Sequence, residues 1–114
     1  MKPRLSDSIL PRGFTFSSVA CGLKKAGLDL ALIASETSAT AAGVFTTNLV
    51  QAAPVVLSRE NIRRAAGHLR AIVVNSGNAN CSTGPKGMKA SRATADALAR
   101  ALACKPEEII VCST

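Results

Sequence analysis

With 114 residues and 11.7 kDa the chain has room for one domain at most, and 47% hydrophobic against 18% charged residues excludes a disordered segment. Only three residues are aromatic, all Phe, so a base-stacking platform for single-stranded nucleic acid has almost no raw material. The net charge of +7 comes from basic residues spread along the chain, with Arg63-Arg64 the densest point, and reads as a solvated surface rather than a nucleic-acid site.

Met1–Leu10 carries Lys2, Arg4 and Asp7 with no apolar stretch behind them, which argues against a secretory signal. No apolar run approaches the roughly 18 residues of a membrane span. Pro11-Arg12-Gly13 is a turn signal, and Phe14–Ala20 after it has strand character. A short connection runs from Cys21-Gly22 through Lys24, Lys25 and Gly27. Asp29-Leu-Ala-Leu-Ile-Ala34 reads as a buried strand and Ser35–Ser38 as a polar turn. Thr40–Thr46 resumes β character, with Gly43 marking a bulge or a close backbone contact.

Pro54-Val-Val-Leu57 is predicted as another short strand. Ser58 is predicted as the N-cap of a helix from Arg59 to about Ala66, with Glu60 in its first turn. Ile62, Ala65, Ala66 and Leu69 supply its apolar face, and Gly67 ends it. Arg70–Asn75 follows as a buried strand. A second helix is predicted from Lys86 or Met88 to Ala103, with Met88, Ala95, Leu98 and Leu102 at helical spacing and Lys105-Pro106 as its stop. Glu108–Cys112 makes a last strand, giving a mixed α/β chain with adjacent strand–helix–strand units. A β segment that enters Ser113-Thr114 and stops there reads as the N-terminal piece of something larger.

Four cysteines, Cys21, Cys81, Cys104 and Cys112, show no CxxC, and His68 is the only histidine, so no zinc-ligand spacing exists. Two disulfides are open to an even count, but the small apolar neighbours of Cys21, Cys104 and Cys112 favour buried free thiols. No Ser-His-Asp set is evident, and His68, in a basic context, reads as a surface or interface residue.

Three clusters could carry chemistry. Asn75-Ser-Gly-Asn-Ala-Asn80 follows a buried strand, and its Asn and Gly residues tolerate the left-handed backbone that exposes N–H groups to an anion or carbonyl. The same residues could equally form a turn that bonds only its own backbone. The spacing from Gly77 to Gly84, with Pro85 before Lys86, fits no phosphate loop. Thr114, at the end of a strand, could face a cleft or simply close the strand. Thr46-Thr47-Asn48 reads as a turn more than as a ligand contact.

Taken together, Pro11-Arg-Gly-Phe14, Cys21-Gly-Leu-Lys24, Asp29-Leu-Ala-Leu-Ile33, Ala42-Gly-Val-Phe-Thr-Thr-Asn48, Ala53-Pro-Val55, Asn75-Ser-Gly-Asn-Ala-Asn80 and Val111-Cys-Ser-Thr114 resemble the ornithine acetyltransferase family, the glutamate N-acetyltransferases of arginine biosynthesis. The likeness covers nearly the whole chain. Pro85 and Cys112 depart from the polar and small residues usual at those places.

The resemblance implies the N-terminal portion of a layered α/β sandwich, with residues 1–114 as an incomplete α-chain domain. It implies a cytoplasmic precursor that cleaves itself before an internal threonine into α and β chains that remain associated as a hetero-oligomer. That threonine takes acetyl from N-acetylornithine and passes it to glutamate by a ping-pong route. No metal or prosthetic cofactor is implied, although some members accept acetyl-CoA as a co-substrate.

The family's apolar Met-Ala-Thr-Met-Leu-like nucleophile stretch does not occur among these residues, so the chain alone is expected to be inactive. Ser113-Thr114 matches the family's Ser-Thr-Gly oxyanion element, which assigns the Thr114 hydroxyl to the oxyanion hole. Asn75, Asn78 and Asn80 are weaker candidates for substrate binding. The alternatives are a non-catalytic scaffold remnant or a basic binding module, with neither a nucleic acid nor a membrane as the expected partner.

Overall fold

Residues Leu69, Ala71 and Val73 are buried while their neighbours in sequence are not, the period of two that gives a strand one packed face. This strand, His68–Asn75, is the third of four in one sheet. The structure is a computed structural model describing residues 10–114, so the N-terminal stretch read above lies, up to residue 9, outside the described residues. Its elements are β1 (Phe14–Val19), β2 (Leu30–Thr40), α1 (Ala53–Arg64), β3 (His68–Asn75), α2 (Gly84–Leu102), a single 3₁₀ turn (Pro106–Glu108) and β4 (Ile109–Ser113). The strand order is β1-β2-β3-β4. The first two pairings are antiparallel; β3 and β4, joined through α2, are parallel. This is the expected mixed α/β architecture.

One face of the sheet packs on both helices. Ala34, Ala71, Val73, Ile109 and Val111 meet Leu57 of α1 and Ala95 and Ala99 of α2, with Met88, Leu98 and Leu102 half-buried around them. The buried stripe of α2 is Gly87, Ser91, Ala95 and Ala99, four small residues one turn apart, which lets the helix lie close to its neighbours. Its C-terminus closes with Ala103 in the left-handed region at φ 52°, before Lys105-Pro106. The other face carries a row of directly paired apolar residues, Phe16–Ile33–Ile72–Ile110. Phe16 is 41% exposed, and no described element covers that face. No helix among the described residues is long and apolar enough to cross a membrane.

Six local expectations are corrected. Pro54-Val-Val-Leu57 is the first turn of α1, not a strand, because Pro is at home where the helix has no N–H to satisfy. Ser58 is therefore inside the helix rather than its N-cap. The buried stripe is Ala53, Pro54, Leu57, Ser58 and Asn61 instead of Ile62, Ala65, Ala66 and Leu69. Glu60 sits beyond the first turn and pairs with Arg64 at 3.6 Å and Arg92 at 3.1 Å.

Thr40–Thr46 forms no strand after Thr40, although the Ala41 N–H still bonds the Gly67 carbonyl at 2.7 Å. Gly43 does make the close approach expected of it, since a Cβ there would lie 2.9 Å from Ile62 Cδ1. Ser35–Ser38 stays within β2 as an irregularity rather than a turn: Ala34 faces Ala71 and Ala39 already faces Leu69. The Glu36 N–H bonds the Gly13 carbonyl at 2.9 Å and holds that stretch extended.

Candidate functional site

Because β3 and β4 run parallel, their C-terminal ends emerge side by side, with Asn75 opposite Ser113. The chain must leave β3 there without covering β4, and the loop after Asn75 does so with Gly77 at φ 94° and Asn80 at φ 51° among its left-handed residues. These are the residue types whose tolerance of that conformation marked the segment in the sequence. A Cβ on Gly77 would also stand 2.6 Å from Lys24 Cγ and 3.3 Å from the Leu23 carbonyl oxygen, so the loop lies tight against residues 23–24.

Three hydrogen bonds tie residues 75–78 to the end of β4, and a fourth braces those residues themselves. The Thr114 N–H donates to the Asn75 carbonyl at 3.0 Å, and the Asn78 N–H donates to the Thr114 carbonyl at 3.1 Å. The Asn75 side-chain amide donates to the Asn78 carbonyl at 2.9 Å, and its oxygen accepts the Ser113 hydroxyl at 2.6 Å. Thr114, Asn75 and Asn78 are thus brought together.

Asn80 bonds the start of α2 instead. Its Nδ2 donates to the Gly87 carbonyl and the Ser91 hydroxyl, both at 2.9 Å, and its Oδ1 accepts the Thr83 hydroxyl at 2.6 Å. It anchors the start of α2, and a side chain on Gly87 would collide with Thr83 Oγ1 and Asn80 Oδ1. Both readings of the Asn-rich loop meet here: it bonds its own backbone, and it also grips a second strand.

Asp29, missed as a functional candidate, fixes the facing wall. It is buried, and its carboxylate accepts the Cys21 N–H at 2.7 Å and the Lys24 N–H at 2.9 Å. These two bonds, the Cys21 one foremost, hold its carboxyl well below the usual carboxylate range, against the opposing pull of burial. The only sequence signal was an acid at the mouth of an apolar strand.

Between this wall, α2 and the strand ends lies an open cavity of about 670 Å³. Leu23, Leu98 and Val111 line its apolar part, and Asn75, Asn80 and Ser113 its polar end. An apolar body with a few convergent polar groups at one end suits a small polar molecule with an aliphatic stem.

The remaining candidates take structural places. Thr46-Thr47-Asn48 is a turn: Gln51 Nε2 donates to the Thr46 and Asn48 carbonyls, and Arg59 reaches the Thr46 carbonyl at 3.1 Å while stacking 5.3 Å from the Phe45 ring centroid. Arg63 and Arg64, the densest basic point, occupy the last turn of α1, where positive charge suits the helix dipole. His68 is exposed at the start of β3.

All four cysteines are free, as favoured, but not fully buried: Cys21 and Cys81 are exposed, Cys104 and Cys112 half-buried. Cys21 sits in the loop that Asp29 holds at the surface. Burial pushes the Cys104 and Cys112 thiols up, which leaves them protonated and poorly nucleophilic. No three His, Cys, Asp or Glu side chains gather among the described residues.

Two curated relatives are named arginine biosynthesis bifunctional protein ArgJ. The one from Nitratidesulfovibrio vulgaris is 51% identical over 94% of this chain and 27% of its own length; the one from Geobacter sulfurreducens is 50% identical over 90% and 26%. The chain therefore spans about a quarter of the length of these relatives. The structure of ornithine acetyltransferase complexed with ornithine from Mycobacterium tuberculosis superposes with a TM-score of 0.85 at 45% identity, covering 91% of this chain and 56% of that one. The ArgJ protein of Bacillus halodurans also gives 0.85, at 35% identity, over 90% and 53%. The pattern of the ArgJ family matches residues 15–114, and the chain belongs to that family.

Proposed function

We propose that the chain is the N-terminal part of the α chain of a self-cleaving, cytoplasmic acetyltransferase of arginine biosynthesis, which moves acetyl from N-acetylornithine to glutamate. Residues 1–114 then form an incomplete domain, and the rest of the α chain and the β chain complete it. The row Phe16–Ile33–Ile72–Ile110 supports this, as an apolar sheet face that no described element covers. The observation that carries the reading is the fixing of Thr114 at the end of β4 by both of its backbone groups, one residue beyond Ser113 of the cavity lining. The likeness to a protein named for ornithine supports the substrate class.

In this scheme the newly N-terminal threonine of the β chain attacks the acetamide carbonyl of N-acetylornithine, its own α-amine taking the proton. The negative charge that develops on the carbonyl oxygen is met by the Thr114 hydroxyl and the N–H of a following glycine. The C–N bond breaks, ornithine leaves with the proton on its amine, and the acetyl group stays as an ester. The glutamate amine then attacks that ester, and the threonine hydroxyl is regenerated. The scheme uses no metal or prosthetic group; acetyl-CoA would enter as a second donor to the same nucleophile.

The test uses the full-length precursor and isotope-labelled ornithine. Labelled ornithine should be incorporated into N-acetylornithine without glutamate present, the half-reaction of a ping-pong cycle, and glutamate should then accept the acetyl group. The 114-residue chain alone should do neither. Turnover by that chain, or a self-cleaved full-length protein that catalyses neither step, would overturn the proposal; the second outcome would leave the scaffold-remnant reading.

A further inference from the structure

We infer that Asn75 is the positioning residue of the oxyanion hole, acting through the backbone of Ser113-Thr114 rather than by touching substrate. The inference rests on the oxyanion reading of Thr114 and extends it to a residue on another strand.

The geometry is a closed circuit. Thr114 has its N–H on the Asn75 carbonyl and its carbonyl on the Asn78 N–H, so its position depends on where residues 75 and 78 stand relative to each other. The Asn75 side chain sets that relation, since its amide donates to the Asn78 carbonyl across the turn at 2.9 Å. Its oxygen takes the Ser113 hydroxyl at 2.6 Å, which fixes the residue before Thr114 as well. A single primary amide therefore braces the loop that holds Thr114 and the strand that delivers it. No other side-chain type of this size has a donor and an acceptor on one planar group.

The rest of the loop does not share the task. The Asn78 side chain accepts the Asn80 N–H at 2.9 Å, and Asn80 is spent on the start of α2. With its two ends committed to Asn78 and Ser113, the Asn75 amide is oriented by the protein itself. Donors of an oxyanion hole work only where they already point at the developing charge, and a misplacement of about 1 Å costs on the order of 10²-fold in rate. The brace is thus a rate-determining device with no need of substrate contact.

The experiment is a double-mutant cycle in the full-length, self-cleaved enzyme, read as kcat and KM for acetyl transfer. Asn75→Ala should lower kcat about 10-fold or more and change KM less than about 3-fold. Asn75→Asp keeps the bond to Ser113 and loses the donor to Asn78, so it should fall between parent and Ala. In a Thr114→Val background the Asn75→Ala change should cost less than about 2-fold further, because the hydroxyl it aims is gone.

If both substitutions lower kcat and their effects multiply independently, Asn75 acts elsewhere and the inference is wrong, while the oxyanion reading stands. If Thr114→Val alone leaves kcat unchanged, the oxyanion reading fails and the inference with it. Where Asn75→Ala prevents folding or maturation, Ser113→Ala, which removes one arm of the brace, takes its place in the same cycle. It should give a smaller kcat loss that likewise vanishes with Thr114→Val, and a loss that persists there overturns the inference.

Discussion

Ser58 of α1 closes the outer edge of β4 through Val111: its hydroxyl donates to the Val111 carbonyl at 2.9 Å and accepts the Val111 N–H at 3.1 Å. In a parallel pair alternate residues turn both backbone groups away from the partner strand, and Val111 is such a residue. Asn61, one turn along α1, serves the Ile109 carbonyl at 2.9 Å. The last strand of the sheet therefore has its free side capped by helix side chains instead of by another strand. Ser58→Ala strands a donor and an acceptor in a buried place and should cost about 2–6 kcal/mol of stability, from roughly 1–3 per orphaned group. Urea unfolding of the full-length protein checks this; a loss under about 0.5 kcal/mol would mean that water replaces the hydroxyl.

Thr114→Val tests the oxyanion assignment itself. The side chain keeps its β-branched shape and loses only its donor, so kcat should fall by roughly 10²–10³ with KM far less affected. Thr114→Ser should retain most of the activity. The proposed self-cleavage would pass through a similar tetrahedral oxyanion, so the fraction matured is measured on a gel first. A fully cleaved Thr114→Val enzyme that turns over like the parent makes the hydroxyl structural.

At Gly77 the backbone conformation and the surroundings forbid a side chain together. Alanine there would carry φ 94° and meet Lys24 Cγ and the Leu23 carbonyl. Gly77→Ala should destabilise the protein by about 1–3 kcal/mol and loosen residues 20–28. Faster hydrogen exchange at the Cys21 and Lys24 amides, which Asp29 holds, is the signature. Unchanged exchange would show that the loop is fixed independently of Gly77.

Asp29 gives an acid-dependent term. Its carboxyl titrates below the ordinary carboxylate range when folded. Its contribution is therefore complete above about pH 4 and lost as the pH falls toward the folded value. Asn at this position keeps the shape but turns an N–H₂ toward a backbone N–H. Asp29→Asn should lower the denaturation midpoint near about pH 7, and the gap from the parent should narrow below about pH 4. A gap that stays constant down to about pH 2 would show that Asp29 has no special hold on the loop.

Most of the scaffold was legible in the sequence because its elements carry their own patterns. The runs Phe14–Ala20, Arg70–Asn75 and Glu108–Cys112 and the helical spacing of Met88, Ala95, Leu98 and Leu102 mark β1, β3, β4 and α2 unaided. The α1 start was misread because Pro54-Val-Val-Leu57 has the residues of a strand, and only packing on β4 makes it a helix. Ser58 was misread with it, since its partner lies 53 residues away. In the site, the need for left-handed backbone at Gly77 and Asn80 could be seen in residue type. The bond from Asn75 to Ser113 could not, because it joins residues 38 apart that only the parallel pairing brings together.

That separation has a consequence for how the protein matures. The antiparallel neighbours β1 and β2 need only a short return through residues 20–29, but the parallel contact of β3 with β4 waits for the whole of α2 to be made and docked. On a ribosome Asn75 emerges long before Thr114, and the loop must be kept open until the second strand arrives. The fixing of Thr114, on which the proposed oxyanion role depends, is thereby a late event, timed by the length of one helix.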